Sequence, residues 1–240
     1  PFGGQQRDFF RIAEACRARG HEIEVYALGW QGPMPDDFNV TLVPVKTLSR
    51  LSMYRRYTDW VAERIKESRP DLVIGFNKMP HLDVYFAAAD CFLHKARTQR
   101  GPLYPLTPRF RHFHRYEAAV FDRDSQTRAL VLSPLQKQNY LRHYPDCAQR
   151  LQELPPGIDQ ERRIERRDPA VRSALRAELG ISGDQRLILQ VGSGFKIKGV
   201  DRAIRAIASL PEKLRASVRY VLVGQDRAGP YHQLAKKLGL

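Results

Sequence analysis

Residues 186–201 read RLILQVGSGFKIKGVD, and this stretch decides the fold class. An apolar run of strand length meets small, flexible residues, and apolar residues then recur at helical spacing through residues 199–210. The pattern predicts a strand, a glycine turn and a helix. Helix N-termini attract anions, glycines let a backbone approach a phosphate, and Lys198 adds a mobile charge. By itself the stretch predicts either a phosphate-binding turn or an ordinary βα unit with solvated lysines.

The same alternation of strand and helix runs through the rest of the chain. Strands are predicted at residues 22–28, 40–45, 71–76, 83–88, 129–133 and 218–223, and helices at residues 5–19, 49–68, 171–179 and 231–238. Consecutive βα units favour parallel sheets with helices on both faces. We therefore predict an α/β protein with one domain over residues 1–158, a linker over residues 159–169 and a second domain over residues 170–240.

Two features indicate a chain that is incomplete at both ends. Gly3 and Gly4 open a helix, but no strand precedes them. The second domain supplies two strands, too few to cover their own apolar faces. We expect a fragment of a longer protein whose second domain is truncated.

Composition narrows the class of protein. The 240 residues are 42% hydrophobic and 28% charged, which is typical of a globular chain. The longest apolar run, residues 84–93, is too short for a membrane-spanning helix, which needs about 20 residues. Three separated cysteines without a CxxC pair favour a reducing compartment over a zinc site. The formal charge of +14 predicts an anionic partner, which nucleic acid, a sugar nucleotide or an acidic membrane would satisfy.

Four motifs together resemble one known family. They are PFGGQQRDF at residues 1–9, GFNKMP at residues 75–80, LPPGI at residues 154–158 and VGSGFKIKGVDR at residues 191–202. They are similar to the lipopolysaccharide core glycosyltransferases I of Gram-negative bacteria, which are retaining, metal-independent GT-B enzymes of glycosyltransferase family 4. The resemblance runs along essentially the whole chain. It implies two Rossmann-like domains facing a cleft, with the sugar-nucleotide donor held mainly by the second and the acceptor by the first.

The resemblance also implies site residues. Gly3 and Gly4 would line the donor, and Asp8 matches the catalytic-site acid near the sugar and the acceptor hydroxyl. Lys198 matches the lysine that neutralises the leaving diphosphate, a role that a cation and helix N–H groups fill without a metal. Without the resemblance, Asp8 and Lys198 are compatible with ordinary charged residues at helix starts. The other donor-binding candidates are Gly192, Ser193, Lys196 and Gln225. No cofactor is expected besides the UDP-sugar.

Four positions depart from the family pattern. Gln5 stands where leucine is expected, His81 replaces glycine, and Ser193 replaces arginine. Lys196 would supply the charge that Ser193 lacks. Asp90 lies one place late in an Ala-Ala-Asp-x-Cys pattern, and it is either a catalytic candidate or a strand-end carboxylate. The family's paired glutamates would lie beyond residue 240, so we expect that these 240 residues alone do not catalyse transfer.

Residues 97–116 interleave arginines with aromatic rings and contain no acid. This composition suits an anionic membrane surface, single-stranded nucleic acid, or a buried helix face with solvated arginines. A membrane-embedded lipid acceptor, which the resemblance implies, favours the first. The predicted membrane-binding residues are Arg97, Arg100, Tyr104, Arg109, Phe110, Arg111, Phe113 and Arg115.

The predicted function is transfer of a hexose, glucose or a related sugar, from a UDP-sugar to a heptose of the lipopolysaccharide inner core. The protein would be cytoplasmic and peripheral on the inner membrane, with no nucleic acid among its partners. Two alternatives are a basic nucleic-acid-binding module, although no helix-turn-helix, RNP or zinc-finger spacing supports it, and a non-catalytic protein of the same fold. A DxD triplet at residues 122–124 follows a predicted helix, whereas the metal-binding version of this motif ends a strand.

Overall fold

The computed structural model describes residues 3–157 and 168–240. It divides into two compact units, residues 1–158 and 159–240, and each is described by itself. Most of the predicted linker, residues 159–167, lies outside the described residues.

The first unit alternates helices with parallel strands. Its helices are α1 (Gly4–Arg17), α2 (Arg50–Ser68), α3 (Phe92–Gln99), α4 (Pro108–Phe121) and α5 (Pro134–His143). Its strands are β1 (Glu24–Ala27), β2 (Asn39–Leu42), β3 (Ile74–Gly75), β4 (Val84–Ala87), β5 (Arg128–Val131) and β6 (Leu151–Glu153). Strands β1 and β2 form one sheet, strands β3 to β6 form a second in chain order, and every pair is parallel. The parallel pairing confirms the α/β prediction.

Helix ends follow the capping residues in the sequence. The side chain of Thr107 accepts the N–H of Phe110 at 3.1 Å, and Pro108 occupies the first turn of α4. Helix α1 ends at Arg17, so the prediction that it runs to residue 19 is wrong by one half-turn. Gly20 instead adopts φ +90°, a left-handed conformation that favours glycine, and turns the chain toward β1.

The core of the first unit is aromatic. The rings of Phe121 and Tyr140 are fully buried and stack with centroids 4.0 Å apart, and the ring of Tyr85 meets that of Phe121 edge-on at 5.9 Å. The hydroxyl of Tyr57, on α2, donates to the carbonyl of Tyr26, on β1, at 2.9 Å, and so ties this helix to the first sheet.

The second unit contains α6 (Pro169–Glu178), β7 (Arg186–Val191), α7 (Val200–Ala208), α8 (Glu212–Ala216), β8 (Val218–Val223) and α9 (Gly229–Lys237). Strands β7 and β8 pair in parallel over six residues each, as the sequence predicts. Phe195, Val200 and Ile204 form its buried cluster, against which Tyr231 of α9 packs. Throughout the described ranges of both units, every helix falls short of the length and apolarity that crossing a bilayer demands.

Candidate functional site

The glycine turn between β7 and α7 is built by its own backbone. The N–H of Lys198 donates to the carbonyl of Gly194 at 3.1 Å, and the N–H of Val200 donates to that of Phe195 at 3.1 Å. Gly194 and Gly199 adopt φ +74° and +70°, which a residue with a side chain rarely adopts. Gly199 precedes the first residue of α7, so the turn places the start of the helix next to Lys198.

A second loop, after β8, holds this turn in place. The N–H of Gln225 donates to the hydroxyl of Ser193 at 3.1 Å, and the N–H of Phe195 donates to the carboxylate of Asp226 at 2.7 Å. The structure therefore brings the predicted residues Ser193 and Gln225 together. Asp226 was not predicted from the sequence, although it directly follows the predicted donor-binding residue Gln225.

The two lysines of the turn are exposed. The aliphatic part of the Lys198 side chain lies over Gly192, since a Cβ built on that glycine would be 3.1 Å from Lys198 Cε. Among the residues that the structure describes, no carboxylate lies within ion-pair distance of Lys196 or Lys198. Exposed cations beside a helix start attract an anion such as a diphosphate.

The start of α1 carries the predicted residues of the first unit. Gly3 is the residue before the helix, in an extended conformation, and its carbonyl accepts the N–H of Arg7 at 3.2 Å. Gly4 opens the helix and is exposed, and Asp8 lies one turn further along and is partly exposed. The amide of Gln5 donates to the carbonyl of Phe76, which ties the helix start to the loop that follows β3.

The structure shows the contacts or the conformation of two residues that depart from the family pattern. The carboxylate of Asp90 is half-exposed and pairs with Lys95 at 2.6 Å on the surface. His81 adopts φ +65° in the turn where the family has glycine. In the DxD triplet, Asp122 directly follows α4 and its carboxylate accepts the N–H of Arg123 at 2.9 Å.

A buried ion pair lies next to the loop that follows β3. The ammonium of Lys78 donates to the carboxylate of Glu117, whose side chain is 0% exposed. The backbone N–H groups of Phe92 and Leu93, at the start of α3, donate to the same carboxylate at 2.6 and 2.8 Å. The hydroxyl of Tyr144 donates to it at 3.2 Å.

Glu117 was not predicted from the sequence. Its signal is weak: a single acid directly after the acid-free segment 97–116. The charge of Glu117 also affects its neighbours, because burial first and this carboxylate second raise the pKa of the Cys91 thiol to about 12. Cys91 is therefore a packed, unreactive thiol at neutral pH.

The basic segment folds into the end of α3, a short 3-10 turn at Tyr104–Leu106 and α4. Its rings pack on one another: Phe92 lies 5.7 Å from Phe110 and 5.6 Å from Phe113 between centroids. The guanidinium of Arg109 lies 5.0 Å from the ring centroid of Phe113. The predicted rings, those of Tyr104, Phe110 and Phe113, are thus half-buried.

The exposed apolar groups of this segment are two leucines. Leu103 and Leu106 are 74% and 72% exposed, and neither was among the predicted membrane-binding residues. The arginines around them are exposed as predicted: Arg97, Arg100, Arg109, Arg111 and Arg115. This surface, residues 97–115, therefore combines cations with accessible aliphatic side chains.

Comparisons with known proteins agree along the chain. A family model described as Glycosyltransferase Family 4 matches residues 2–162, and one described as Glycosyl transferases group 1 matches residues 171–240. The lipopolysaccharide glucosyltransferase WaaG of Escherichia coli (strain K12) is 45% identical over 240 residues. That alignment covers 100% of this chain and 64% of WaaG. A crystal structure of WaaG, described as a glycosyltransferase involved in lipopolysaccharide biosynthesis, matches with a TM-score of 0.90 and 45% identity, covering 100% of this chain and 65% of that one.

Proposed function

Because the chain belongs to glycosyltransferase family 4, we propose that the protein transfers a hexose from a UDP-sugar to a heptose of the lipopolysaccharide inner core. The resemblance to the lipopolysaccharide core glycosyltransferases is confirmed by the match to WaaG, and with it the GT-B fold class. This relationship supports the proposal that the protein is a glycosyltransferase of lipopolysaccharide biosynthesis. The hexose, the heptose, retention of configuration and independence of metal are parts of the proposal.

The glycine turn of residues 192–199 supports the donor part of the proposal. Breaking a glycosyl–phosphate bond leaves negative charge on the diphosphate, and preorganised cations and N–H groups stabilise that charge. Lys196, Lys198 and the start of α7 supply such groups on one turn. This turn is the single observation that carries the proposed function. Gly192, Ser193 and Gln225 belong to the same pair of loops, and Gly3 and Gly4 stay assigned to the donor.

The start of α1 supports the acceptor part. The first partly exposed carboxylate of this helix, Asp8, lies one turn from Gly3. We assign it the position beside the acceptor hydroxyl, where an acid can accept a proton. Asp90 has no part in this assignment, because its carboxylate is paired with Lys95.

The surface of residues 97–115 supports docking on an anionic membrane. Guanidinium groups meet phosphate head groups while exposed aliphatic side chains enter the interface. Leu103 and Leu106 add exposed aliphatic side chains to the predicted arginines and rings. A lipid-linked acceptor would bring the enzyme to the cytoplasmic face of the inner membrane.

A panel of UDP-sugars with a heptose-terminated core acceptor tests the proposal, using the complete gene product. We expect one UDP-hexose to be transferred with saturable kinetics. Tight, steeply salt-dependent binding of nucleic acid without any sugar transfer would support the nucleic-acid-binding alternative instead. Saturable UDP binding without transfer to any acceptor would support the non-catalytic alternative.

A further inference from the structure

We infer that the buried ion pair between Lys78 and Glu117 is a positioning device. It sets the loop of residues 76–80, at the carboxyl end of β3, against the helices of the membrane-facing surface, and it thereby affects how the acceptor binds. This inference rests on the proposed function, because it concerns the acceptor side of the same site. Lys78 and Glu117 are positioning residues in it, not catalytic ones.

On one side, the loop of residues 76–80 touches the start of α1. The carbonyl of Phe76 accepts the amide of Gln5, and the ring of Phe76 meets that of Phe9 edge-on at 5.5 Å. Ligands of parallel α/β sheets bind outside the carboxyl ends of the strands, which is where this loop and the helix start lie. The position of the loop therefore matters for the residues around Asp8.

On the other side, the loop is fixed by the ammonium of Lys78. Besides Glu117 it donates to the carbonyl of Asp90 at 2.9 Å, and it lies 5.2 Å from the ring centroid of Tyr140. These contacts occupy the cation, which is 11% exposed. Lys78 is thus not a mobile charge for a phosphate, unlike Lys198.

Glu117 connects that cation to two helices. It lies on α4, and it accepts the N–H groups of Phe92 and Leu93 at the start of α3. Helices α3 and α4 carry four of the five arginines of residues 97–115, and Arg100 and the two exposed leucines lie on the segment between the helices. One carboxylate therefore joins the loop beside α1 to both helices of the proposed membrane surface.

Stability alone is a poor explanation for a charge pair at this place. Desolvating two charges often costs as much as their attraction returns, and apolar replacements are frequently neutral or stabilising. Unlike an apolar contact, the ion pair has one defined geometry, in which both charged groups have their hydrogen-bond partners. A small displacement of such a loop is sufficient to change reaction rates, since misplacement by about 1 Å costs on the order of a hundredfold.

Two variants separate positioning from stability. Lys78→Met leaves the carboxylate of Glu117 buried without its cation, and we expect a large loss of stability. Lys78→Met/Glu117→Gln removes both charges and keeps one oxygen, which can accept the N–H of Phe92 or that of Leu93 but not both, so part of the stability should return. Arg150→Met is the control, because Arg150 holds the C-terminal end of α4, one turn beyond Glu117, through the carbonyls of Phe121 and Asp122 rather than through the loop of residues 76–80.

The readouts are thermal unfolding, hydrogen exchange of residues 76–80, and separate KM values for the acceptor and the UDP-sugar. We expect the double variant to exchange the loop faster and to raise the acceptor KM about tenfold or more, with the UDP-sugar KM unchanged. Arg150→Met should lower stability without either effect. Wild-type loop exchange in the double variant overturns the inference whether or not the protein is active. An active double variant whose acceptor KM equals that of the wild type also overturns the inference. If the wild-type protein itself transfers no sugar, the proposed function is overturned. Hydrogen exchange of the loop then tests the positioning role separately.

Discussion

Gly224 and Gly192 approach so closely that a Cβ on Gly224 would overlap the backbone carbonyl of Gly192. The same Cβ would lie 3.1 Å from the backbone nitrogen of Ser193. Only glycine therefore lets the loop after β8 support the turn that carries Lys198. The turn and the loop therefore pack directly against each other through their backbones.

Replacing Gly224 by alanine should displace the turn. We expect Gly224→Ala to lower the free energy of unfolding by about 2 kcal/mol, because backbone atoms cannot yield as a flexible side chain would, and to weaken UDP binding. Thermal unfolding and calorimetric titration with UDP measure the two effects. Gly183→Ala is the matched control, since nothing lies within 4 Å of its Cβ position. If the two alanine variants behave alike, the close approach has no role.

Membrane docking should depend on the two exposed leucines. We expect Leu103→Ser/Leu106→Ser to reduce sedimentation with anionic vesicles by about tenfold or more, because burying a leucine contributes about 1.5–3 kcal/mol. Leu48→Ser is the control, since Leu48 is fully exposed but lies outside residues 97–115. Equal binding of all three proteins, or equal binding to neutral vesicles, would contradict this surface.

The guanidinium of Arg150 should be a main support of the first unit. It donates to the carbonyls of Val120 at 2.9 Å, Thr127 at 2.8 Å and Asp122 at 2.7 Å, and so satisfies the end of α4. We expect Arg150→Met to cost about 2–3 kcal/mol of unfolding free energy, measured by denaturant titration. Arg123→Met removes only a surface pair with Asp146 and should cost less than about 1 kcal/mol. Similar losses of unfolding free energy in both variants would show that the hydrogen bonds of Arg150 stabilise the protein no more than a surface ion pair does.

The stability of the first unit should fall in mild acid. Burial first, and Arg55 and Arg115 next, lower the pKa of His112 below its ordinary 6.5. Its Nε2 is buried and has no hydrogen-bond partner among the described residues. The unfolded chain therefore binds the proton more readily, so stability is present above pH 6.5 and is lost as the pH falls toward the folded pKa.

Phenylalanine at this position tests the linkage. His112→Phe keeps the ring contacts with Tyr54 and Tyr116 but cannot take up a proton. We expect the melting temperature of this variant to change less between about pH 7 and pH 5 than that of the wild type. The same pH dependence in both proteins would assign the acid sensitivity to other groups.

Local sequence patterns predict most helices and strands. The errors lie where a side chain replaces a backbone hydrogen bond between strands. The predicted helix of residues 49–68 is α2, Arg50–Ser68, because Ser49 is its N-cap. The predicted strand of residues 71–76 shortens to Ile74–Gly75, since the carboxylate of Asp83 accepts the N–H of Val73 at 2.7 Å. Periodicity carries no information on such a bond between residues ten positions apart.

In the candidate site as well, contiguous residues could be predicted from the sequence, whereas pairs of residues far apart in the sequence could not. Residues 192–199 are contiguous, so their glycines and lysines indicate a turn from the sequence alone. The pairing of Lys78 with Glu117 joins residues 39 positions apart, and it exists only because the fold brings the loop after β3 next to α4. Spacing likewise could not distinguish the half-buried rings of Phe110 and Phe113 from the exposed Leu103.

Sugar transfer by the complete gene product in the presence of a metal chelator, measured for the wild type and for Lys198→Ala, tests the central claim most directly. Lys213→Ala, another exposed lysine of the second unit, is the control. We predict that the wild type and the control transfer a hexose from its UDP-sugar to the heptose acceptor, and that Lys198→Ala is slower by on the order of a hundredfold. No transfer by the wild type, or the same rate in Lys198→Ala, would contradict the account.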